Sequence, residues 1–387
     1  MKYREDGKLV AMGYDGRAWL LTDTDGDGLE DTAQIFWDKT PLRSPIGMAL
    51  TPPNYPKGRG IFVATKDRVT LLLDTDNDDV ADQEIIVANG WPESFHSVDA
   101  LGCAVDKDGS IYFGLGTANF ADGYLVDKAK GKAMYSLEGE RGAILRVSPD
   151  FKTREVIATG VRFPVAIEFN AAGDLFCSDQ EGATWLPNGN PFDELLHIER
   201  KRHYGFPPRH PKHLPTVIDE PSVYDYGPQH QSTCGFTFNE SENWSGTRGA
   251  DAKIFGPEWW RNDVLMTGYS RGKIWRTKLV KTGAGYVAQN QLIASLNMLP
   301  SDNCVSPQGD LVVAVHSGEP DWGSGPNGAG KLYKISYTNR QAPQPVQTRP
   351  VSPTETLIEF DRALKSEDLK DLTKRLRVTE GAYVSAG

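Results

Sequence analysis

The sequence has no apolar run approaching the length of a membrane span, no block rich in Lys and Arg, and no CxxC pair. It also shows no convincing helical periodicity before its final segment. Each absence closes off a class of protein. Without a long apolar run no helix of this chain crosses a bilayer. With 52 acidic against 42 basic residues and a net charge of −10, no basic face exists to meet nucleic acid. Four cysteines are present in 387 residues: Cys103, Cys177, Cys234 and Cys304. Their wide spacing excludes a zinc knuckle or haem attachment within this chain. Each lies in an apolar, strand-like run and reads as a buried thiol, with one disulfide compatible with export. No signal-peptide pattern follows Met1.

What is present points to many short strands. The chain holds 39 Gly and 25 Pro, and 10% of its residues are aromatic. One unit lies in Gly160 to Pro207, where an apolar run (Val165 to Phe169), a tight turn (Asn170 to Asp174) and a second run (Leu175 to Cys177) stop at Ser178-Asp179-Gln180-Glu181-Gly182. Two short apolar runs around a Gly/Asp turn signal a hairpin. The unit has relatives at Ile46 to Thr65, Leu101 to Gly116, Gly235 to Gly268 and Asp302 to His316. Third strands follow at Val69 to Leu73, Ala143 to Val147, Lys273 to Leu279 and Lys331 to Tyr337. Fourth strands are expected at Glu84 to Ala88, Thr153 to Ala158 and Gln291 to Ser295. Four antiparallel strands recurring at this spacing predict an all-β, six-bladed β-propeller over residues 1–338. Its first blade is expected to be incomplete, starting at Val10 to Leu21. Residues 339–353, rich in Pro, Gln and Thr, read as a linker, and 354–387 as the start of a truncated C-terminal module. The chain thus reads as lacking parts at both ends.

Up-and-down order within a blade sorts its loops. Connections between blades and the second-to-third-strand loops share one face, and the other turns share the opposite face. On the first face, before inner strands, fall Arg43, His96, Asp99, Arg162, His230 and Asp302. After second strands come Lys66, Asp67, Asn119, Asp179, Glu181, Tyr269, Arg271, His316 and Asp321. That face is the expected site. The opposite face takes two acidic runs 51 residues apart, Asp23 to Asp31 and Asp74 to Asp82. The first offers Asp23, Asp25, Asp27 and Asp31 in the manner of a calcium loop, although position 12 is Gln34. Calcium there would be structural. The second run, with Asp79 in place of the loop glycine, reads as a hairpin turn.

Two patterns are set aside. Gly323 to Gly328 fits GxGxxG but contains Pro326 and leads into a strand, so it is no dinucleotide fingerprint. His203, Arg209, His210, Lys212 and His213 sit in a Pro-rich loop and read as solvated surface.

Arg162-Phe163-Pro164, Asp179-Gln180-Glu181-Gly182 and Tyr204-Gly205-Phe206-Pro207 resemble the fourth blade of the soluble quinoprotein (PQQ) sugar and sorbosone dehydrogenases. His96 sits where that family places its catalytic base, and His230 to Phe238 resembles its strand near the cofactor. More closely, residues 10–387 are similar to the N-terminal propeller of large bacterial membrane-bound dehydrogenases, also called PVC-type haem-binding proteins. The chain departs from the quinoprotein pattern at Phe163, where an Asn is usual, and at Ala183, where a Pro is usual. The arginines expected before the last inner strand are not evident near Asp302.

The resemblance implies a dehydrogenase using PQQ and calcium to oxidise a sugar or related alcohol or aldehyde, with a cytochrome as electron acceptor. His96 would take the hydroxyl proton and Arg162 would neutralise charge on the cofactor. Asp179, Glu181, Gly182, His230, Arg271, Asp302 and His316 would bind the cofactor. Haem would lie only on a part outside this chain, and the location would be periplasmic. Two other readings stand beside it. One is a transition-metal site of His96, His230 and His316 with Asp179 or Asp302. The other is a non-catalytic propeller that binds glycan or a protein partner within a larger haem-containing protein.

Overall fold

A five-residue turn closing a short apolar strand sets the period of the chain. At Arg4–Lys8, Asp106–Ser110, Asn170–Asp174 and Ser306–Asp310 the first N–H donates to the fifth carbonyl at 2.8–2.9 Å. The fourth residue is always a glycine, with φ between 82° and 93°, which donates back to the first carbonyl. A side chain would strain that backbone. The computed structural model describes residues 1–94, 98–117, 126–127, 132–133, 139–181, 192–206, 220–228, 231–240, 252–320, 325 and 327–375.

Six antiparallel sheets follow from this period. The first comprises β1 (Lys2–Tyr3), β2 (Leu9–Met12), β3 (Ala18–Thr22) and β4 (Thr32–Trp37). The second comprises β5 (Met48–Leu50), β6 (Arg59–Ala64), β7 (Arg68–Asp74) and β8 (Gln83–Asn89). The third comprises β9 (Ala100–Val105), β10 (Ile111–Leu115), β13 (Ala143–Val147) and β14 (Arg154–Thr159). A short ribbon, β11 (Val126–Asp127) and β12 (Lys132–Ala133), lies in its long loop. The fourth comprises β15 (Pro164–Phe169), β16 (Leu175–Asp179), β17 (Asp193–Ile198) and β18 (Tyr224–Tyr226). The fifth comprises β19 (Thr233–Phe238), β20 (Val264–Gly268), β21 (Lys273–Thr282) and β22 (Gly285–Ser295). The sixth has three strands, β23 (Leu299–Val305), β24 (Leu311–His316) and β25 (Lys331–Ile335). The molecule is therefore an all-β, six-bladed propeller.

Second strands such as β6 are apolar without alternation because neighbouring blades cover both of their faces. Outer strands such as β4 are exposed over their first half and bury only their last residues. The first strands β1, β5, β9, β15, β19 and β23 touch in turn around a closed ring. Three glycines let them approach. A Cβ on Gly47 would lie 2.1 Å from the Leu101 carbonyl, and one on Gly102 would lie 2.7 Å from the Ile167 nitrogen. One on Gly235 would lie 2.1 Å from Asp302 Oδ1. Lys2 and Glu168, on first strands of opposite blades, form an ion pair at 3.4 Å toward the far end of the channel.

Two expectations change here. The first blade is four-stranded, with its inner strand cut to two residues at Lys2–Tyr3, and the blade with three strands is the last. The stretch read as a linker contains a strand: Pro345–Ser352 pairs with Glu355–Phe360 in the second unit, Tyr337–Gly387. Its Pro, Gln and Thr residues occupy exposed and half-buried positions, which suits an edge hairpin.

One buried pair sits in the fifth blade. Arg276 lies between Trp259 and Trp260, 4.5 and 4.8 Å from the ring centroids, and 3.6 Å from Asp263. Burial pushes the Asp263 carboxyl up to about 7 and lowers Arg276.

The close ring makes Gly102→Ala costly, because the clash is with backbone. Urea unfolding should show a loss of about 1–3 kcal/mol. The Asp263 carboxyl binds its proton more tightly in the folded than in the unfolded chain. Its contribution to stability is therefore full below about 4 and lost as pH rises through about 7. Denaturation at a series of pH values should show this decline in the wild type and a flatter profile in Asp263→Asn.

Candidate functional site

The site grows from the ends of β16 and β17, where two carboxylates cap the chain entering the fourth blade. Asp179 accepts from the backbone N–H of Arg162 at 2.8 Å and of Phe163 at 2.6 Å. Asp193 accepts from the N–H of Glu181 at 2.9 Å and of Ser232 at 2.6 Å. Polar side chains fall here because an inner strand starts where an outer pair ends, leaving backbone donors without a ladder partner. Gln180 bridges to the fifth blade, donating to the Thr233 carbonyl at 2.8 Å and to Cys234 Sγ at 3.2 Å. Arg162 is buried, and its Nη1 donates to the Gln180 carbonyl at 2.5 Å.

Among the described residues Asp179, Glu181, Asp193, Glu194 and Asp225 act on one another, and Arg162 acts on Asp179, Glu181 and Asp193. Burial, and then neighbouring carboxylates, push Glu181 and Glu194 well above the usual range. Burial raises Asp179 against the pull of its two backbone donors. The same burial lowers Arg162. Among the described residues Glu194 Oε2 is buried without a hydrogen-bond partner.

Phe163 lies beside this pocket and packs against both apolar clusters at the channel mouth. One holds Val98 and Leu101, the other Val165, Cys234, Tyr269 and Leu299, with Ile46 packed against both. All but Tyr269, which follows β20, begin or precede the inner strands of five blades, so they form an apolar floor. At its edge the Tyr269 hydroxyl and His316 Nδ1 are 3.0 Å apart. The His316 ring stands edge-on to Tyr269 at 5.5 Å and to Tyr14 at 5.6 Å. Burial lowers the imidazole below its ordinary value and pushes the Tyr269 phenol up to about 12. On the side of the second and third blades, buried Asp99 pairs with Arg141 at 2.8 Å and with Lys66 at 3.9 Å.

The structure thus brings together Arg162, Asp179 and Glu181, and separately His316 with Tyr269. Arg271 is exposed on the same face, just after Tyr269. Asp302 lies within β23 rather than before it, beside Gly235. His96, Gly182, His230, Asn119, Ala183 and Asp321 lie outside the described residues. On the opposite face Asp23, Asp25 and Asp27 bring ligand atoms within 4.8 Å of one another. Asp31 instead accepts from Thr24 Oγ1 at 2.7 Å. His203, read as solvated, is buried: it bridges Thr159, whose Oγ1 is 2.9 Å from its Nδ1. All four cysteines are free and buried, and burial raises the Cys103 thiol to about 12.

Sequence reasoning passed over Asp193, Glu194, Asp225, Arg141 and Tyr14. The pair Asp193-Glu194 opening an apolar strand carried a signal, because charge at a strand start needs a partner.

Residues 2–314 match the family described as "Domain of unknown function (DUF7133)". The chain belongs to the DUF7133 family. No curated protein matches. This DUF7133 chain is similar to an oxidoreductase described as a glucose dehydrogenase from Thermus thermophilus, with 19% identity and a TM-score of 0.60 over 86% of this chain and 94% of that one. It is also similar to the soluble aldose sugar dehydrogenase of Escherichia coli, at 14% identity and a TM-score of 0.57 over 85% and 93%. The PQQ domain of pyranose dehydrogenase from Coprinopsis cinerea matches at 14% identity and a TM-score of 0.53 over 81% and 88%. These likenesses establish a shared propeller fold. Among the described residues no helix is long and apolar enough to cross a membrane.

An NMR titration of His316 should show a midpoint below the usual imidazole value, as its burial requires. Tyr269→Ala, which opens the pocket to water, should move that midpoint up. A wild-type midpoint at or above the usual value contradicts the geometry.

Proposed function

We propose that this DUF7133 propeller is a quinoprotein-like dehydrogenase domain that oxidises a sugar or related alcohol or aldehyde and hands electrons to a cytochrome. The observation that carries this reading is a group of buried carboxylates beside an apolar floor, both at one end of the channel. Calcium takes carboxylate and carbonyl oxygens. Both oxygens of Asp179 and of Asp193 already accept backbone N–H groups, so Glu181 and Glu194 would supply the carboxylate oxygens for such an ion together with loop carbonyls, with Arg162 holding the loop through the Gln180 carbonyl. The floor around Phe163 suits the flat face of a quinone, and Lys66, Arg141 and Arg271 lie on the same face as anchors for its carboxylates. When bound, PQQ would accept the hydride and supply the redox chemistry.

The chain's own residues do the remaining work. His96 is the proposed acceptor of the substrate hydroxyl proton. His316, kept neutral near pH 7 by burial and positioned by Tyr269, presents an uncharged imidazole at the rim for contact with the cofactor. Phe163 and Leu299 exclude water from the channel beneath. The likeness to dehydrogenase folds supports the reaction class. A second reading is a non-catalytic propeller that binds glycan or a protein partner. The observation favouring it is Phe163, an apolar ring where the quinoprotein pattern has an amide.

Reconstitution with PQQ and calcium, followed by dye reduction over a panel of aldoses, separates the two. Turnover that Arg162→Met abolishes supports the dehydrogenase; absent a spectral change on adding PQQ, the reading fails. Calcium alone should raise the melting temperature by a few degrees, as binding to the native state requires. Glu194→Gln should remove part of that rise, and Asp25→Asn on the opposite face should leave that part intact.

A further inference from the structure

A cleft with a volume of about 750 Å³ lies not at the channel mouth but on the opposite face, between the third, fourth and fifth blades. One wall is a hairpin. β21 and β22 run for 10 and 11 residues, whereas no other described strand of the propeller exceeds 7. The extra length carries the hairpin tip across to the turn of the fourth blade. There Lys281 meets Asp174 at 2.6 Å, Tyr286 donates to Asp174, and Asn170 donates to the Tyr286 hydroxyl at 3.0 Å. The tip is thus fixed at a distance from its own blade, and the gap beneath it is the cleft.

The walls are aromatic. The Tyr286 ring lies 5.0 Å from His197, and across the cleft the Tyr112 and Phe169 rings stand edge to face at 5.3 Å. Between them the polar groups are mixed. Asp106, Asp174 and Glu199 face Arg200, Lys201, Arg202 and Lys281. Three of those cations are already paired: Arg200 with Glu155 at 3.0 Å, Arg202 with Glu220 at 3.4 Å, and Lys281 with Asp174. A phosphate or polyanion needs uncompensated cations, and this cleft has almost none to offer. A ligand with donors and acceptors at every position and apolar C–H faces between them matches it better. The volume falls in the usual range for ligand sites.

We propose that this cleft binds a neutral oligosaccharide, its C–H faces against Tyr286 and Tyr112 and its hydroxyls against Asp106, Glu199 and Lys201. The site is separate from the channel mouth and does not depend on a redox role there. It would hold the protein on a glycan while leaving the other face open.

The test titrates the full chain with maltotriose, cellotriose and chitotriose by isothermal calorimetry. One of the three should bind with 1:1 stoichiometry. Tyr286→Ala should weaken that binding about tenfold or more, as loss of a central aromatic contact does. Thr282→Arg, which places a long side chain at the exposed hairpin turn without touching the core, should block it even if Tyr286→Ala disturbs the hairpin. Phe163→Ala, at the channel mouth, should leave it unchanged. Binding of none of the three up to about 10 mM overturns the proposal. So does binding that Phe163→Ala removes and Thr282→Arg leaves intact.

Discussion

Everything in this molecule depends on how closely six first strands crowd around one axis. At Gly47, Gly102 and Gly235 the backbone of one blade lies where a Cβ would otherwise be. The approach is between backbones or short polar groups, so it cannot be relieved by a side-chain rotation. It fixes the rotation from blade to blade and therefore the closure of the ring. With closure fixed, every loop is assigned to one face or the other by strand order alone. The Lys2–Glu168 pair reaches between opposite blades toward the far end of the channel.

At the channel mouth the described residues of the fourth blade gather several buried carboxylates around buried Arg162. Such an arrangement is unfavourable, since like charges in a low-dielectric pocket push one another toward the protonated form. The backbone donors of Arg162, Phe163, Glu181 and Ser232 satisfy Asp179 and Asp193, but among the described residues Glu194 Oε2 finds no hydrogen-bond partner. A stability cost placed at the mouth of a channel is what a ligand site looks like before its ligand is considered. The fifth blade shows the contrast. Arg276 and Asp263 are also buried and mismatched, but they are enclosed by Trp259 and Trp260 away from the channel, where they serve the local packing of the turn.

The fold was legible because its signals are local. Gly/Asp turns and apolar runs are read within a few residues, and they located the six blades. The first inner strand was missed because two residues carry no periodicity, although the turn Arg4–Lys8 has the same Gly pattern as its relatives. The hairpin at Pro345–Ser352 was missed because prolines hide a strand that needs few ladder bonds at an edge. In the site, Arg162, Asp179 and Glu181 were legible because they stand where apolar strands stop. Asp193, Glu194 and Tyr14 were not, because their meaning comes only from pairing across blades. Asp31 was read from spacing alone as part of a metal loop; its carboxylate accepts from the hydroxyl and N–H of Thr24, a pairing that spacing does not reveal.

His203 links these levels. Its neighbours in sequence made it read as one more surface cation, yet it lies buried against Gly160 and Thr159, at the junction where the third blade hands the chain to the fourth. The parallel bridge there joins the return of the fourth blade's outer loop to the entry of its inner strand, just ahead of Arg162. Residues 204–206 are tied to the same stretch: the Tyr204 N–H donates to the Thr159 carbonyl and the Phe206 N–H to the Gly160 carbonyl, both at 2.9 Å. Gly160, with a φ of 78° and tight packing against His203 and Tyr204, has little room to give, and it lies two residues ahead of Arg162.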